Sequence, residues 1–319
     1  MKLSVVMITY NHERFIAQAL SSVLAQRANF DFEIIVAEDC STDGTRAILM
    51  DFVRRYPGKI LPLLREQNLG MVRNFREALV TCRGQYLAIL EGDDYWTCVD
   101  KLQSQVDFLD AHPDHAVCCA RAQFVDQTGA ALTGIAHTGI YPSTSSGSYT
   151  FTDLFETNWV VTCTVMYRRA SIGLLPAWFL TLKMIDWPLH ILVAQTGKIY
   201  LMNEVVSAYR LHSTGAWSSL SPIDRLLATK QMLTALDNHL HFQYTEAIRP
   251  VIAQTCLDLA HAARHLGSRA QTARHLLSYA CNGGWQLPAS RRPFAGLAAY
   301  VLIGSWYKIF SRAKQANTI

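Results

Sequence analysis

The sequence lacks any C-x-x-C pair, although eight cysteines are spread along its 319 residues. Closely paired cysteines are typical of structural zinc sites, and disulfide frameworks usually occur in short, cysteine-dense chains, so neither is expected here. The N-terminus has a short apolar run but lacks the longer apolar segment and the small-residue cleavage site of a signal peptide. These absences favour a protein of the reducing cytoplasm.

Charge is also scarce: 17% of the residues are charged and the formal net charge is +4. No dense Lys/Arg stripe with interleaved aromatic residues is present, so nucleic acid is not an expected partner. No G-x-G-x-x-G follows a predicted strand, which argues against an NAD-linked dehydrogenase. The first predicted strand is followed by TYNHERF, not by the Gly-rich phosphate loop of a sugar nucleotidyltransferase.

The sequence does contain apolar, β-rich runs that alternate with segments of helical periodicity. This alternation predicts an α/β fold with a mostly parallel sheet flanked by helices. The predicted strands are 3–8, 32–37, 60–64, 86–90, 116–124, 159–167 and 198–209. The predicted helices are about 15–24, 45–56, 68–81, 101–111 and 187–196, and helical periodicity returns from 222. We therefore predict one domain over 1–220, with a nucleotide-binding half (1–115) and an acceptor half (116–220), and a C-terminal helical extension over 221–319.

The extension ends in an uncharged apolar stretch, PFAGLAAYVLIGSWY, with basic residues on both sides. Its 15 residues are short for a membrane span, which needs about 20. Two interpretations stay open for a helix over 293–310: it packs on the protein, or it lies at a membrane surface with its cations on anionic lipid.

Polar clusters stand where three predicted strands end, at 9–11, 38–45 and 91–94. In parallel α/β sheets, ligands bind beyond the carboxyl ends of the strands. Glu91 and Asp93 are two residues apart, so both project to the same side of the strand end. Mg²⁺ or Mn²⁺ is typically held by one or two carboxylates together with substrate phosphates. The alternative is an acidic turn in solvent, but the buried strand before it and Tyr95-Trp96 after it favour a metal site.

The segments TYNHERF, EDCSTDGT, NLGMVRN and EGDDYW, in this order and on these elements, resemble family 2 glycosyltransferases. The resemblance covers about residues 3–215. It implies the GT-A fold and an inverting reaction in which an acceptor hydroxyl displaces a nucleoside diphosphate that is held through Mg²⁺ or Mn²⁺.

The resemblance implies a set of nucleotide-binding residues: Thr9, Tyr10, Asn11, Asp39, Asn68, Arg73, Glu91 and Gly92. Within this set, Asp39 corresponds to the aspartate that recognises the base. A carboxylate can accept the imide N–H of uracil, so a UDP-sugar is the expected donor. The alternative for Asp39 is capping of the following helix, which Thr42 or Asp43 could also supply.

Glu91-Gly92-Asp93 occupies the place of the family's D-x-D motif, with Glu in place of the first Asp. The resemblance implies that Asp93 binds the metal and that Glu91 orders the ribose or a metal-bound water. His212, in the segment YRLH, is the second implied metal ligand. Asp94 and Arg210 are assigned to the donor sugar or the diphosphate.

Asp186, followed by Trp187, resembles the family's catalytic base. A carboxylate beside an aromatic ring is partly desolvated, which raises its pKa and makes it a better base. Its alternative role is the N-cap of a helix, because Pro188 follows near the helix start. Asn158 and Trp187 are assigned to the acceptor side.

The expected activity is transfer of a sugar from a UDP-sugar to a hydroxyl of a glycan or lipid-linked acceptor, in cell-envelope polysaccharide synthesis. The partners are then the donor, this acceptor and a peripheral membrane contact through the C-terminus. Two alternatives stay open: a sugar nucleotidyltransferase, and a non-catalytic membrane-associated binding protein on the same fold.

Overall fold

The computed structural model describes residues 1–132, 140–283 and Leu297. The chain divides into two compact units, Met1–Ser219 and Leu220–Ile319. The strands of the first unit are β1 (Leu3–Thr9), β2 (Phe32–Glu38), β3 (Ile60–Leu64), β4 (Tyr86–Ile89), β5 (Tyr95–Trp96), β6 (His115–Val125), β7 (Gly147–Tyr149), β8 (Met166–Arg168) and β9 (Lys198–Arg210). Its helices are α1 (Ile16–Leu24), α2 (Thr45–Arg55), α3 (Met71–Thr81), α4 (Lys101–Ala111) and α5 (Asp186–Ala194).

These nine strands form one sheet in the order β3-β2-β1-β4-β8-β6-β9-β5, with β7 paired to β9. The pairs β3–β2, β2–β1, β1–β4 and β6–β9 are parallel, and the others are antiparallel. All seven residues of both β1 and β2 are buried, as expected for parallel strands that are covered by helices on both faces. The predicted α/β architecture is confirmed.

The strand that we expected over 159–167 is mostly wrong. Thr162–Thr164 forms a short 3₁₀ helix, and only Met166–Arg168 joins the sheet. The Thr164 hydroxyl donates to the carbonyl oxygen of Val161 at 2.7 Å. Such local bonding of a threonine side chain to the backbone competes with strand pairing. The apolar run is buried, but in a turn that follows no strand period.

The second unit contains α6 (Pro222–His239), α7 (Thr245–His265) and α8 (Arg269–Cys281). Helix α6 begins with Ser221 at its N-cap, whose hydroxyl oxygen accepts from the Asp224 N–H at 3.1 Å, and with Pro222 in the first turn. Apart from Leu297, the segment 293–310 lies outside the described residues. Among the residues that are described, no helix is both long and apolar enough to span a membrane.

Candidate functional site

A cavity of about 340 Å³ opens in the first unit, next to the acidic turn that follows β4. Its walls come from this turn, from the start of α5, and from the end of β9 with the loop behind it. Seven of the residues assigned from the sequence line it: Glu91, Asp93, Asp94, Asn158, Asp186, Trp187 and Arg210. The fold therefore brings the acidic turn, the expected base and the expected acceptor residues to one place.

Asp93 stands between two imidazoles. Its Oδ2 lies 2.9 Å from Nε2 of His212 and 3.6 Å from Nε2 of His12. Burial acts to raise the pKa of Asp93, but the two histidines outweigh burial and hold this pKa below its usual value. The sequence analysis assigned Asp93 and His212 and missed His12. The available signal was its position directly after Asn11 in TYNHERF.

Because Gly92 has no side chain, the end of β1 can lie close to the acidic turn. A Cβ at this position would lie 2.6 Å from Oγ1 of Thr9 and 2.9 Å from Nδ1 of His12. These two side chains also contact each other, with Oγ1 and Nδ1 3.3 Å apart. Thr9 and Gly92 are thus part of the support of His12 beside Asp93.

Glu91 carries an unsatisfied group: its Oε2 is buried and has no hydrogen-bond partner among the described residues. Burial, followed by the nearby charge of Asp93, raises the pKa of Glu91 to about 8. A buried acceptor without a partner costs free energy, so this oxygen is suited to a ligand that offers a proton or a positive charge.

Asp94 and Arg210 join the acidic turn to the end of β9, each through a different set of hydrogen bonds. Oδ1 of Asp94, which is 3% exposed, accepts from the Arg210 N–H at 2.7 Å. The Arg210 guanidinium donates to the carbonyl oxygens of Asp93, Asp126 and Gln127 and to Oε1 of Gln18. Burial and the charges of Asp93 and Glu91 raise the pKa of Asp94 well above its usual value. These contacts lock the turn to the end of β9.

Asp186 is the first residue of α5 and lines the cavity. The N-cap position of the helix is Ile185 and has no side-chain cap, so Asp186 is not the N-cap residue. Burial raises the pKa of Asp186, although backbone N–H groups and Asn158 offset part of this effect. A carboxylate with a raised pKa that faces a cavity fits a general base.

Asn158 and Trp187 contact the surroundings of Asp186 in different ways. Nδ2 of Asn158 donates to Oδ2 of Asp186 at 2.8 Å, while Oδ1 of Asn158 is buried without a partner among the described residues. The Trp187 indole donates to the carbonyl oxygen of Leu154 at 2.6 Å. Asn158 thus orients the carboxylate and keeps one acceptor atom for a ligand, while Trp187 ties α5 to the segment around Leu154.

The residues at the first two strand ends, which the resemblance assigns to nucleotide binding, lie outside the cavity lining. Asn11 adopts a φ of 56°, and its Oδ1 accepts from the Thr42 N–H at 2.8 Å. This bond joins the loop after β1 to the loop after β2. Tyr10 is 42% exposed at the same edge.

Asp39 is buried and both of its carboxylate oxygens are bound: Oδ1 accepts from the Leu69 N–H and Oδ2 from the Gly70 N–H. Asn68 adds a bond from its Nδ2 to the carbonyl oxygen of Asp39. The start of α2 is bound by Asp43, whose Oδ1 accepts from the Thr45 N–H, while the N-cap position is Gly44. Asp39 therefore orders the start of α3 and does not cap the helix that follows it in sequence.

Arg73 and Asn74 of the NLGMVRN segment both lie in α3, but they differ in exposure. Arg73 is exposed, whereas the neighbouring Asn74 is 1% exposed and donates from Nδ2 to the carbonyl oxygen of Ala37. Asn74 fastens α3 to β2 and is a structural residue that the sequence analysis did not single out.

The described residues contain no group of three His, Cys, Asp or Glu side chains that could hold a metal ion by themselves. Asp93 and His212 nevertheless present an oxygen and a nitrogen ligand side by side, next to the unsatisfied Oε2 of Glu91. This partial set fits an ion such as Mg²⁺ or Mn²⁺, which takes its remaining ligands from substrate phosphates and water.

Comparison with known proteins identifies the family of the chain. Residues 4–173 match the family model described as glycosyl transferase family 2. The chain belongs to this family. An uncharacterized protein of Mycobacterium tuberculosis is 38% identical over 218 residues, which are 68% of this chain and 61% of that protein. The matched part of this glycosyltransferase chain thus spans less than two thirds of that relative.

Solved structures with the same GT-A fold include Staphylococcus aureus TarS in complex with UDP, with a TM-score of 0.63 and 19% identity over 99% of this chain and 92% of that one. TarS is named a poly(ribitol-phosphate) beta-N-acetylglucosaminyltransferase. The mannosyltransferase PcManGT of Pyrobaculum calidifontis, solved with GDP-Man and Mn²⁺, has a TM-score of 0.57 and 16% identity over 97% of this chain and 87% of that one.

Proposed function

We propose that this glycosyltransferase moves a sugar from a UDP-sugar to a hydroxyl group of a cell-envelope glycan or lipid-linked glycan, with inversion at the anomeric carbon. The observation that carries the proposal is the Asp186 carboxylate, which has a raised pKa, faces the cavity and is oriented by Asn158. Family membership supports the reaction class, and the UDP complex of TarS supports the choice of nucleotide.

The donor is held at the strand ends. The loops that Asn11 and Asp39 order bind the uridine, and the acidic turn receives the diphosphate. Asp93 and His212 would hold Mg²⁺ or Mn²⁺ beside it. A bound divalent cation offsets the negative charge that develops on the departing diphosphate. The presence of Mn²⁺ in the PcManGT complex supports the use of a divalent cation. Asp94 and Arg210 hold the turn in position.

Asp186 then accepts the proton of the acceptor hydroxyl while the oxygen forms its bond to the anomeric carbon and the bond to the diphosphate breaks. Asn158 keeps the carboxylate oriented through Nδ2. Its unpartnered Oδ1 accepts a hydrogen bond from a second hydroxyl of the acceptor. The carboxylate of Asp186 and the Oδ1 of Asn158 can each accept a hydrogen bond, which suits an acceptor sugar with neighbouring hydroxyl groups.

The test is release of UDP from a panel of UDP-sugars, with Mn²⁺ and with envelope glycan fractions as acceptors. Asp186→Asn should lower acceptor-dependent transfer by about 10²–10⁴-fold, because general-base catalysis is lost. Stabilisation of the protein by UDP should stay unchanged, since Asp186 does not hold the nucleotide. Asp107→Asn, on the exposed side of α4, is the matched control. Near-normal transfer by Asp186→Asn would refute the assignment of the base.

A further inference from the structure

The second unit holds a basic cavity of about 470 Å³ between α6 and α8. Its lining residues are Leu227, Lys230, Gln271, Arg274, His275 and Ser278. Five of these six side chains can donate hydrogen bonds, and none is acidic. All belong to the second unit, so this basic cavity is distinct from the site around Asp93.

The basic side chains are held close to one another. Nζ of Lys230 donates to Oγ of Ser278 at 2.8 Å, which fixes the ammonium of α6 against α8. The pKa of His275 is lowered by burial and then by the positive charges of Lys230 and Arg274. Like charges that repel inside a concave surface store unfavourable free energy, and a bound anion relieves it.

Among the described residues, no Asp or Glu side chain forms an ion pair with the basic side chains of this cavity. Helix α8 contains no Asp or Glu, and no described ion pair involves Lys230, Arg274 or His275. The described part of the unit has four carboxylates. Three are bound elsewhere: Asp224 by the Ser221 hydroxyl, Asp237 by the Thr245 hydroxyl, and Asp258 by the Gln254 amide. The fourth, Glu246, is exposed in the first turn of α7. The positive charge of the basic cavity is therefore uncompensated among the described residues.

We propose that the basic cavity binds the phosphate group of a phosphate-bearing ligand. The planar fork of an arginine matches the oxygen geometry of phosphate, and a lysine adds a point charge that suits its second negative charge. Gln271 and Ser278 offer neutral donors for the remaining oxygens. The cavity exceeds the volume of one phosphate, so the group can arrive attached to a polyol or to a glycerolipid. This proposal does not depend on the glycosyltransferase activity.

Calorimetric titration of the full chain with inorganic phosphate, at low ionic strength, tests the proposal. Arg274→Gln should weaken binding by about tenfold or more, because one charge-assisted hydrogen-bond donor is lost. Arg274→Lys should weaken it less, since the charge stays and the fork is lost. Arg249→Gln removes another exposed arginine, in α7 and outside the cavity, and this variant should bind like the parent protein. Thermal unfolding of all three variants checks that each is folded.

Two further probes distinguish a soluble polyol phosphate from a lipid headgroup. They are glycerol 1-phosphate and vesicles of phosphatidylcholine with or without phosphatidylglycerol. Binding of glycerol 1-phosphate that is tighter than that of inorganic phosphate, and that Arg274→Gln weakens to the same extent, identifies a soluble polyol phosphate. Sedimentation with the anionic vesicles alone, again lost in Arg274→Gln, identifies a lipid headgroup. Either result supports the proposal. If no probe binds, or if Arg249→Gln weakens binding as much as Arg274→Gln does, the proposal is wrong.

Discussion

The Asp93 carboxylate and the His212 imidazole lie 2.9 Å apart, although 119 positions separate them in the chain. Asp93 lies between β4 and β5, and His212 follows β9. Tyr95 of β5 pairs with Ala208 of β9, so this strand pair brings the acidic turn to the segment that carries His212. His12, after β1, also approaches the same carboxylate oxygen. The geometry of this group therefore depends on the ends of β1, β4 and β9 and on the pairing of β5 with β9.

Replacement of His212 tests the role of this contact. His212→Ala should weaken Mn²⁺-dependent binding of UDP by about 10–100-fold, as is typical when a ligand or its supporting partner is lost. UDP binding without metal should change little. His265→Ala, at an exposed position near the end of α7, is the control. Equal Mn²⁺ dependence in His212→Ala and the parent protein would exclude His212 from the metal site.

Gly92 should not tolerate a side chain. Gly92→Ala places a Cβ 2.6 Å from Oγ1 of Thr9, so the turn or β1 must shift. We expect a loss of about 1–3 kcal/mol in the free energy of unfolding, measured with urea, and a loss of transfer. Gly173→Ala is the matched control, because a Cβ there meets nothing within 4 Å. Similar unfolding free energies for the two variants would contradict the described packing.

Asn158 should affect the acceptor more than the donor. Asn158→Ala removes both the bond to Asp186 and the free Oδ1, so kcat/KM for the acceptor should fall by about 10–100-fold. The KM for the donor should stay nearly constant. Thr157→Ala changes the neighbouring exposed residue of the cavity wall and serves as control. An equal rise in the donor KM would place Asn158 on the donor side instead.

Lys101 should make stability depend on pH. Its side chain is 1% exposed, its Nζ donates to Oε1 of Gln105 at 2.7 Å, and burial lowers the pKa of Lys101 from 10.5 to about 7. At a pH between these two pKa values, Lys101 is protonated in the unfolded chain but neutral in the folded protein, so unfolding takes up a proton. Lys101 therefore makes the free energy of unfolding rise with pH over this window, by up to about 1.4 kcal/mol per pH unit.

Lys101→Met should remove this contribution and stabilise the protein most at and below pH 7. Urea unfolding at several pH values measures the difference between the variant and the parent protein. Lys198→Met changes a lysine whose side chain is 54% exposed and should leave the slope unaltered. A constant difference between Lys101→Met and the parent across the window would contradict the expected proton linkage.

The sequence predicted elements with a regular period well. Helix α4 has the predicted bounds, and β3 does too, because apolar spacing reports which face is buried. It could not predict β5, since a strand of two residues has no period and exists only through its pairing with β9. It also overestimated the strand before Arg168, where buried apolar residues form a turn.

The same limit applies to the site. Asp93, Asp186 and His212 stand in recognisable segments, so the resemblance could point to them. The approach of His12 to Asp93, the four side-chain contacts of Arg210 and the free oxygen of Asn158 depend on distances across the sheet. Short sequence segments do not determine such distances.

The position of β9 leaves a sheet edge open in the nascent chain. This strand is the last of the sheet to be synthesised, yet it lies between β6 and β5 and also pairs with β7. Until it emerges from the ribosome, β6 has an open edge, and open edges invite pairing with other chains. A polypeptide truncated before Lys198 would lack this closure as well as His212, and it would be a substrate for chaperones and proteases rather than a partly active enzyme.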